Sequence, residues 1–139
     1  MNHSRELDGI DAAWLVVDAQ GQAAIFTTGG EGPVPETAFA SVAIAEESVQ
    51  SFPEISGYEL LTSVARPDDF VAFAKRGLFA YDWSDTHRVA GKQLGGYELQ
   101  AQPTSPLLVS ELPASAQSLA NATQLSGLVF GSNVVMLGT

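Results

Sequence analysis

The chain has 139 residues, a length suited to one domain with a core of its own, and 45% hydrophobic against 16% charged residues exclude a disordered polar chain. It has no cysteine, which excludes a disulfide framework, a thiolate metal site and a cysteine nucleophile. Sixteen acids against six bases give a net charge of −10, a field that repels nucleic acid and anionic lipid and speeds encounter with a basic partner.

Met1 to Asp8 carries two acids and no apolar h-region, so no signal peptide is expected, and no stretch approaches the ~20 apolar residues of a membrane span. The expected location is therefore the cytoplasm. Residues 1–10 read as a flexible tail or a short first element ahead of a single domain. Ala12 to Asp18 is the first strong signal, a continuous apolar run that suggests a strand covered on both faces. The polar turn Asp18-Ala19-Gln20-Gly21 follows, then a second β-rich run from Gln22 to Thr28, and together they predict a hairpin.

Gly29 to Pro35 leaves the sheet, and Pro35 with Glu36 suits the first turn of a helix reaching about Gln50. Ala38, Phe39, Val42, Ala45 and Val49 fall at helical spacing and are the expected inner stripe. Tyr58 to Ala65 reads as a strand. A second helix is framed by Pro67, Asp68 and Asp69 at its start, by Lys75 and Arg76 at its end, and by Gly77 at the left-handed position beyond. The next strand, Leu78 to Trp83, should project Phe79, Tyr81 and Trp83 to one side. Further short strands are expected at His87–Ala90 and Gln93–Gln100, a third helix from Leu112-Pro113 to about Ala122, and one or two strands between Leu128 and Leu137. Strands in runs between separate helices imply an α+β fold: a single, mostly antiparallel sheet with about three helices packed on it.

Chemistry-bearing patterns are sparse. The glycine-rich loop Gly29-Gly30-Glu31-Gly32 lacks the lysine and hydroxyl of a phosphate loop, and Glu31, Pro33 and Pro35 work against anion binding. Asp82, Asp85 and His87 form the one metal-like cluster, yet a zinc or iron site needs three or four protein ligands and the chain has two histidines. A hairpin turn at Trp83 to Thr86 explains Asp85 better. No Gly-x-Ser-x-Gly elbow is present, and the neighbouring acids Glu46-Glu47 and Asp68-Asp69 diverge by about 100° on a helix. The expectation is a protein that is not an enzyme and that uses no metal and no cofactor. What remains is surface: Glu31, Glu46, Glu47, Glu54 and Glu59, in a short stretch containing no base before Arg66, form a candidate acidic contact region for a basic partner, joined by Asp82 and Asp85.

Two segments carry a resemblance. One is Trp14-Leu15-Val16-Val17-Asp18-Ala19-Gln20-Gly21, continuing through Ala24-Ile25-Phe26 to Gly29-Gly30-Glu31-Gly32-Pro33-Val34-Pro35. The other is Gly77-Leu78-Phe79-Ala80-Tyr81-Asp82-Trp83 followed by Arg88-Val89-Ala90. Together they resemble the immunity proteins encoded beside polymorphic toxins in interbacterial competition, including effector–immunity pairs of type VI secretion. The resemblance implies binding and neutralising a cognate toxin in the producer's cytosol, as a 1:1 heterodimer that occludes the toxin's active site. Electrostatics then suggests a toxin with a basic cleft, a nuclease or a nucleotide-modifying enzyme such as a pyrophosphokinase. The alternative is a non-catalytic adaptor or chaperone-like module for a basic protein partner.

Overall fold

The computed structural model describes residues 12–28, 34–42, 45–61, 68–84, 96–131 and 134–135. Strand β1 (Ala13–Asp18) and strand β2 (Ala23–Thr27) are buried at every position, as the continuous apolar run requires. They pair antiparallel, from Ala13 opposite Thr27 to Val17 opposite Ala23, around a turn in which Gly21 has φ +80°. A 3-10 turn at Glu36–Ala38 leads to the helices α1 (Phe39–Val42) and α2 (Ala45–Gln50). Strand β3 (Tyr58–Leu60), helix α3 (Asp68–Lys75) and strands β4 (Phe79–Ser84) and β5 (Gly96–Pro103) follow. The described chain ends with helix α4 (Ala114–Asn121) and the two-residue strands β6 (Gln124–Leu125) and β7 (Val134–Val135).

The strands form one sheet in the order β3-β5-β4-β2-β1-β6, with β7 also on β5. Four pairings are antiparallel, and two, β1 with β6 and β2 with β4, are parallel. The fold is α+β with a mostly antiparallel sheet, as expected. The parallel step from β2 to β4 needs a long crossover, and α1, α2, β3 and α3 supply it.

Each face of the sheet has its own core. On one, Leu15, Ile25, Leu78 and Ala101 meet Val49 and Phe52 of the α2 region, Phe73 and Ala74 of α3, and Ala116 and Ala120 of α4. The other is aromatic: Trp14, Phe26, Tyr81 and Tyr97 pack together, with Phe26 4.6 Å from Tyr97 and 4.9 Å from Tyr81 between ring centroids. Val34, Ala38 and Phe130 close over them. Phe79, Tyr81 and Trp83 do share this side. On β5, Leu99 faces the aromatic core while Ala101, two residues on, faces the helices. Strict alternation forbids that, and the register shift opposite Ala80 and Tyr81, a bulge with Gln100 between, restores it.

Two local expectations need adjustment. The first helical stretch opens with the 3-10 turn and continues as α1 and α2, with residues 43–44 outside the described part; its inner line is Ala38, Ser41, Ala45 and Val49, while Phe39 points outward at 37% exposure. A stripe can follow only one line, and Phe39 lies about 100° of rotation from Ala38. Ser41 takes the inner place because its hydroxyl accepts the Leu15 N–H at 3.2 Å, satisfying the edge of β1. β3 is described over Tyr58–Leu60, and residues 62–65 of the expected strand lie outside the described part. The strand expected at 87–90 and the Gly29–Gly32 loop also lie outside it. β6 carries no strand signal in two residues; it exists because α4 delivers it to β1, where Val17 pairs with Gln124. No described helix is long and apolar enough to cross a membrane.

Candidate binding site

The two edges of the sheet differ. At the β1 edge, Ser41 takes the Leu15 N–H, the Thr123 carbonyl takes the Val17 N–H at 3.1 Å, and β6 pairs with the end of the strand. At the opposite edge β3 pairs with β5 alone among the described residues. The pairs are Tyr58 with Pro103, Glu59 with Gln102 and Leu60 with Ala101. Gly57 and Leu61 bond toward β5, through Thr104 N–H to Gly57 O at 3.0 Å and Leu61 N–H to Gln100 O at 2.8 Å. An antiparallel ladder alternates, so the N–H and C=O groups of Tyr58 and Leu60 point away from β5.

The same edge carries unusual apolar exposure. Ile55, Tyr58, Leu60 and Leu61 are 49%, 42%, 40% and 42% exposed, four of the seven large hydrophobic side chains exposed in the described chain. Single exposed hydrophobics are ordinary, but Tyr58 and Leu60 line one groove together, and such grouping marks a contact surface. Between β3 and α3 lies an open groove of about 410 Å³. Tyr58, Leu60, Val71 and Ala72 form its apolar lining, and Glu54, Asp68 and Lys75 its charged positions. Lys75 Nζ sits 5.9 Å from the centre of the Tyr58 ring, within cation–π reach.

Hydrogen bonds tie down the groove wall at the end of α3. Gly77, at φ +90°, donates its N–H to Ala74 O and Leu78 donates to Phe73 O, the paired bonds of a Schellman cap. The Lys75 carbonyl accepts the N–H groups of Ile55 and Ser56, both at 2.9 Å, which ties the approach to β3 onto the helix end. Arg76 stitches the same loop: Nε donates to Phe52 O at 3.1 Å, Nη1 donates to Ala72 O at 2.9 Å and lies 3.7 Å from Glu54.

The residues expected to form an acidic contact region are only partly assembled. Glu54 lines the groove. Glu59 neighbours it on β3 but projects to the opposite face from Tyr58 and Leu60, where it accepts a hydrogen bond from Gln102 Nε2 at 2.6 Å. Glu47 is exposed on α2, and Glu46 belongs to the same helix. Asp82 stands on β4 and accepts a hydrogen bond from Thr27 Oγ1, the residue opposite it on β2. Glu31 and Asp85, with His87, lie outside the described residues. Asp68, Val71 and Ala72 were not anticipated as site residues, because the sequence presents them as helix start and helix body; only the return of α3 beside β3 makes them a wall. Among the described residues no group of three or more His, Cys, Asp or Glu is placed to hold a metal ion.

Compared with known proteins, the chain matches no family model, no curated protein sequence and no solved structure.

Proposed function

We propose that this chain is a non-catalytic protein-binding module, and specifically an immunity protein that neutralises a cognate antibacterial toxin in the cytosol of the cell that makes both. The observation that supports it most is the β3 edge: exposed apolar side chains, outward-facing backbone groups and acidic neighbours, on a chain of net charge −10. Such a surface suits a partner that is basic and offers apolar contacts, as a toxin with a cationic nucleotide- or nucleic-acid-binding cleft would. The segments that carry the resemblance agree with this division of labour. Trp14 to Val17, Ala24 to Phe26 and Leu78 to Tyr81 are buried in the cores on the two faces of the sheet, so they maintain the fold and leave recognition to other residues.

Co-expression with the toxin gene expected beside it tests the reading. Cells carrying both genes should grow, cells carrying the toxin alone should die, and the two proteins should purify as a 1:1 complex through a salt wash. Stable binding without protection would favour the adaptor or chaperone reading instead. Neither binding nor protection would sink both.

A further inference from the structure

From the β3 edge we infer that the partner contributes an extended segment that adds to the sheet as a further strand on β3, its alternate side chains entering the groove against α3. The inference rests on reading the chain as a protein-binding module and names the form its ligand takes. Three independent features converge on it. First, the outward N–H and C=O groups of Tyr58 and Leu60 repeat every two residues, the spacing at which an incoming strand presents its own. Second, the side chains of those same residues turn into the groove, where Val71 and Ala72 of α3 stand opposite. A strand laid along β3 therefore sends every second side chain between β3 and α3. Third, Glu59 projects from β3 to the face away from the groove, where its carboxylate is bonded to the uncharged amide of Gln102. The favoured ligand is thus a strand alternating apolar with lysine or arginine residues, the apolar ones seated on Tyr58 and Leu60 in the groove and the bases projecting to the other face beside Glu59.

The opposite edge of the sheet does not offer this arrangement. Ser41 and Thr123 already receive the N–H groups of Leu15 and Val17 there. The strand β3 is also short, three residues, a common device against indiscriminate edge pairing, so the groove must add side-chain selectivity to the few backbone bonds available.

The test uses the full chain, labelled for amide NMR, and a panel of eight-residue peptides that alternate lysine or arginine with valine, isoleucine, leucine or phenylalanine. Members of the panel should slow hydrogen exchange at the Tyr58 and Leu60 amides and leave Leu61, already bonded to Gln100, unchanged. The same peptides methylated at their backbone nitrogens keep every side chain but cannot donate to a strand edge, and they should not bind. Leu60→Pro removes one outward donor at a position where an edge strand tolerates proline, and should weaken binding about tenfold. If no peptide slows those amides, or the methylated panel binds equally well, strand addition is wrong. Protection at Tyr58 that grows with protein concentration before any peptide is added would also overturn it, in favour of a second copy of the chain on this edge. No toxin enters the test, so its failure leaves neutralisation open, and a failure of neutralisation leaves the peptide result intact.

Discussion

Asp18 shows how one side chain can secure distant parts of the chain. Its Oδ1 accepts the N–H groups of Gln20 and Gln22, both at 2.9 Å, and its Oδ2 accepts Gln22 Nε2 at 2.7 Å and the Phe130 N–H at 2.8 Å. Buried at 4% exposure, the carboxylate is fully partnered. Asp18→Ala would leave the buried Phe130 N–H without an acceptor and loosen the hairpin turn, a loss of about 3 kcal/mol that urea unfolding should register. In the sequence Asp18 is legible as a turn residue, and so it is; its bond to a residue 112 positions away is a product of tertiary closure that no local pattern encodes. Tyr81 secures the same segment, its hydroxyl accepting the Gly131 N–H at 3.1 Å. Burial pushes its phenol up to about 12; the Gly131 bond opposes the rise and the Asp18 charge adds to it. The folded state therefore holds this proton more tightly than the unfolded chain, whose tyrosines titrate near ~10. The contribution is fully present below pH ~10 and is lost as pH rises toward the folded value. By pH ~11.5 the loss attributable to Tyr81 should reach about 2 kcal/mol. Unfolding titrations of wild type and Tyr81→Phe at pH ~9 and ~11.5 isolate it, because the remaining alkaline groups are common to both.

At the level of elements, α3 is the clearest case of agreement between local signals and structure. Asp68 and Asp69 stand in its first turn, Lys75 in its last, and Gly77 adopts the left-handed conformation beyond it. The position is doubly restricted: a Cβ on Gly77 would lie 2.8 Å from Leu107 Cβ. Gly77→Ala should therefore cost about 1–3 kcal/mol through strain and clash together, and should displace Leu107 along with the cap. The first helix is the instructive contrast. Counting apolar residues places Phe39 inside, but the tertiary need was for a hydroxyl at the β1 edge, and Ser41 fills it. Phe73→Ala, in the helix-side core, should destabilise by about 3–5 kcal/mol, whereas Phe39→Ala should cost about 1 kcal/mol or less. Thermal unfolding of the two variants, side by side, decides whether the inner line runs through residue 41 or 39. Short elements fared worst: β6 spans two residues and has no pattern of its own, so only its delivery by α4 to a waiting edge defines it.

For the whole molecule, the question is where a net charge of −10 acts. Charge alone marks a preference for basic partners without choosing a face, and the sequence accordingly groups acids that the fold disperses: Glu47 lies on α2, Glu59 turns away from the groove and Asp82 is held by Thr27. The groove is acidic through Glu54, which the sequence singled out, and Asp68, which it read as a helix start. A double neutralisation, Glu54→Gln with Asp68→Asn, separates the local from the global effect. The surface ion pair of Glu54 with Arg76 and the dipole contact of Asp68 are each worth about 1 kcal/mol or less, so the fold should persist. If the groove receives the partner, association with the co-purified toxin should slow about tenfold at low salt, and wild type and variant should converge near ~1 M salt, where screening shortens to ~3 Å. Glu47→Gln changes the net charge without touching the groove, and should slow association far less. Equal slowing per charge removed in both variants would mean that only the overall field matters; a larger effect at Glu47 would move the contact to the α2 surface. Stopped-flow rates across a salt series distinguish these cases, because steering by net charge scales with the number of charges removed, whereas a desolvated contact depends on which carboxylates they were.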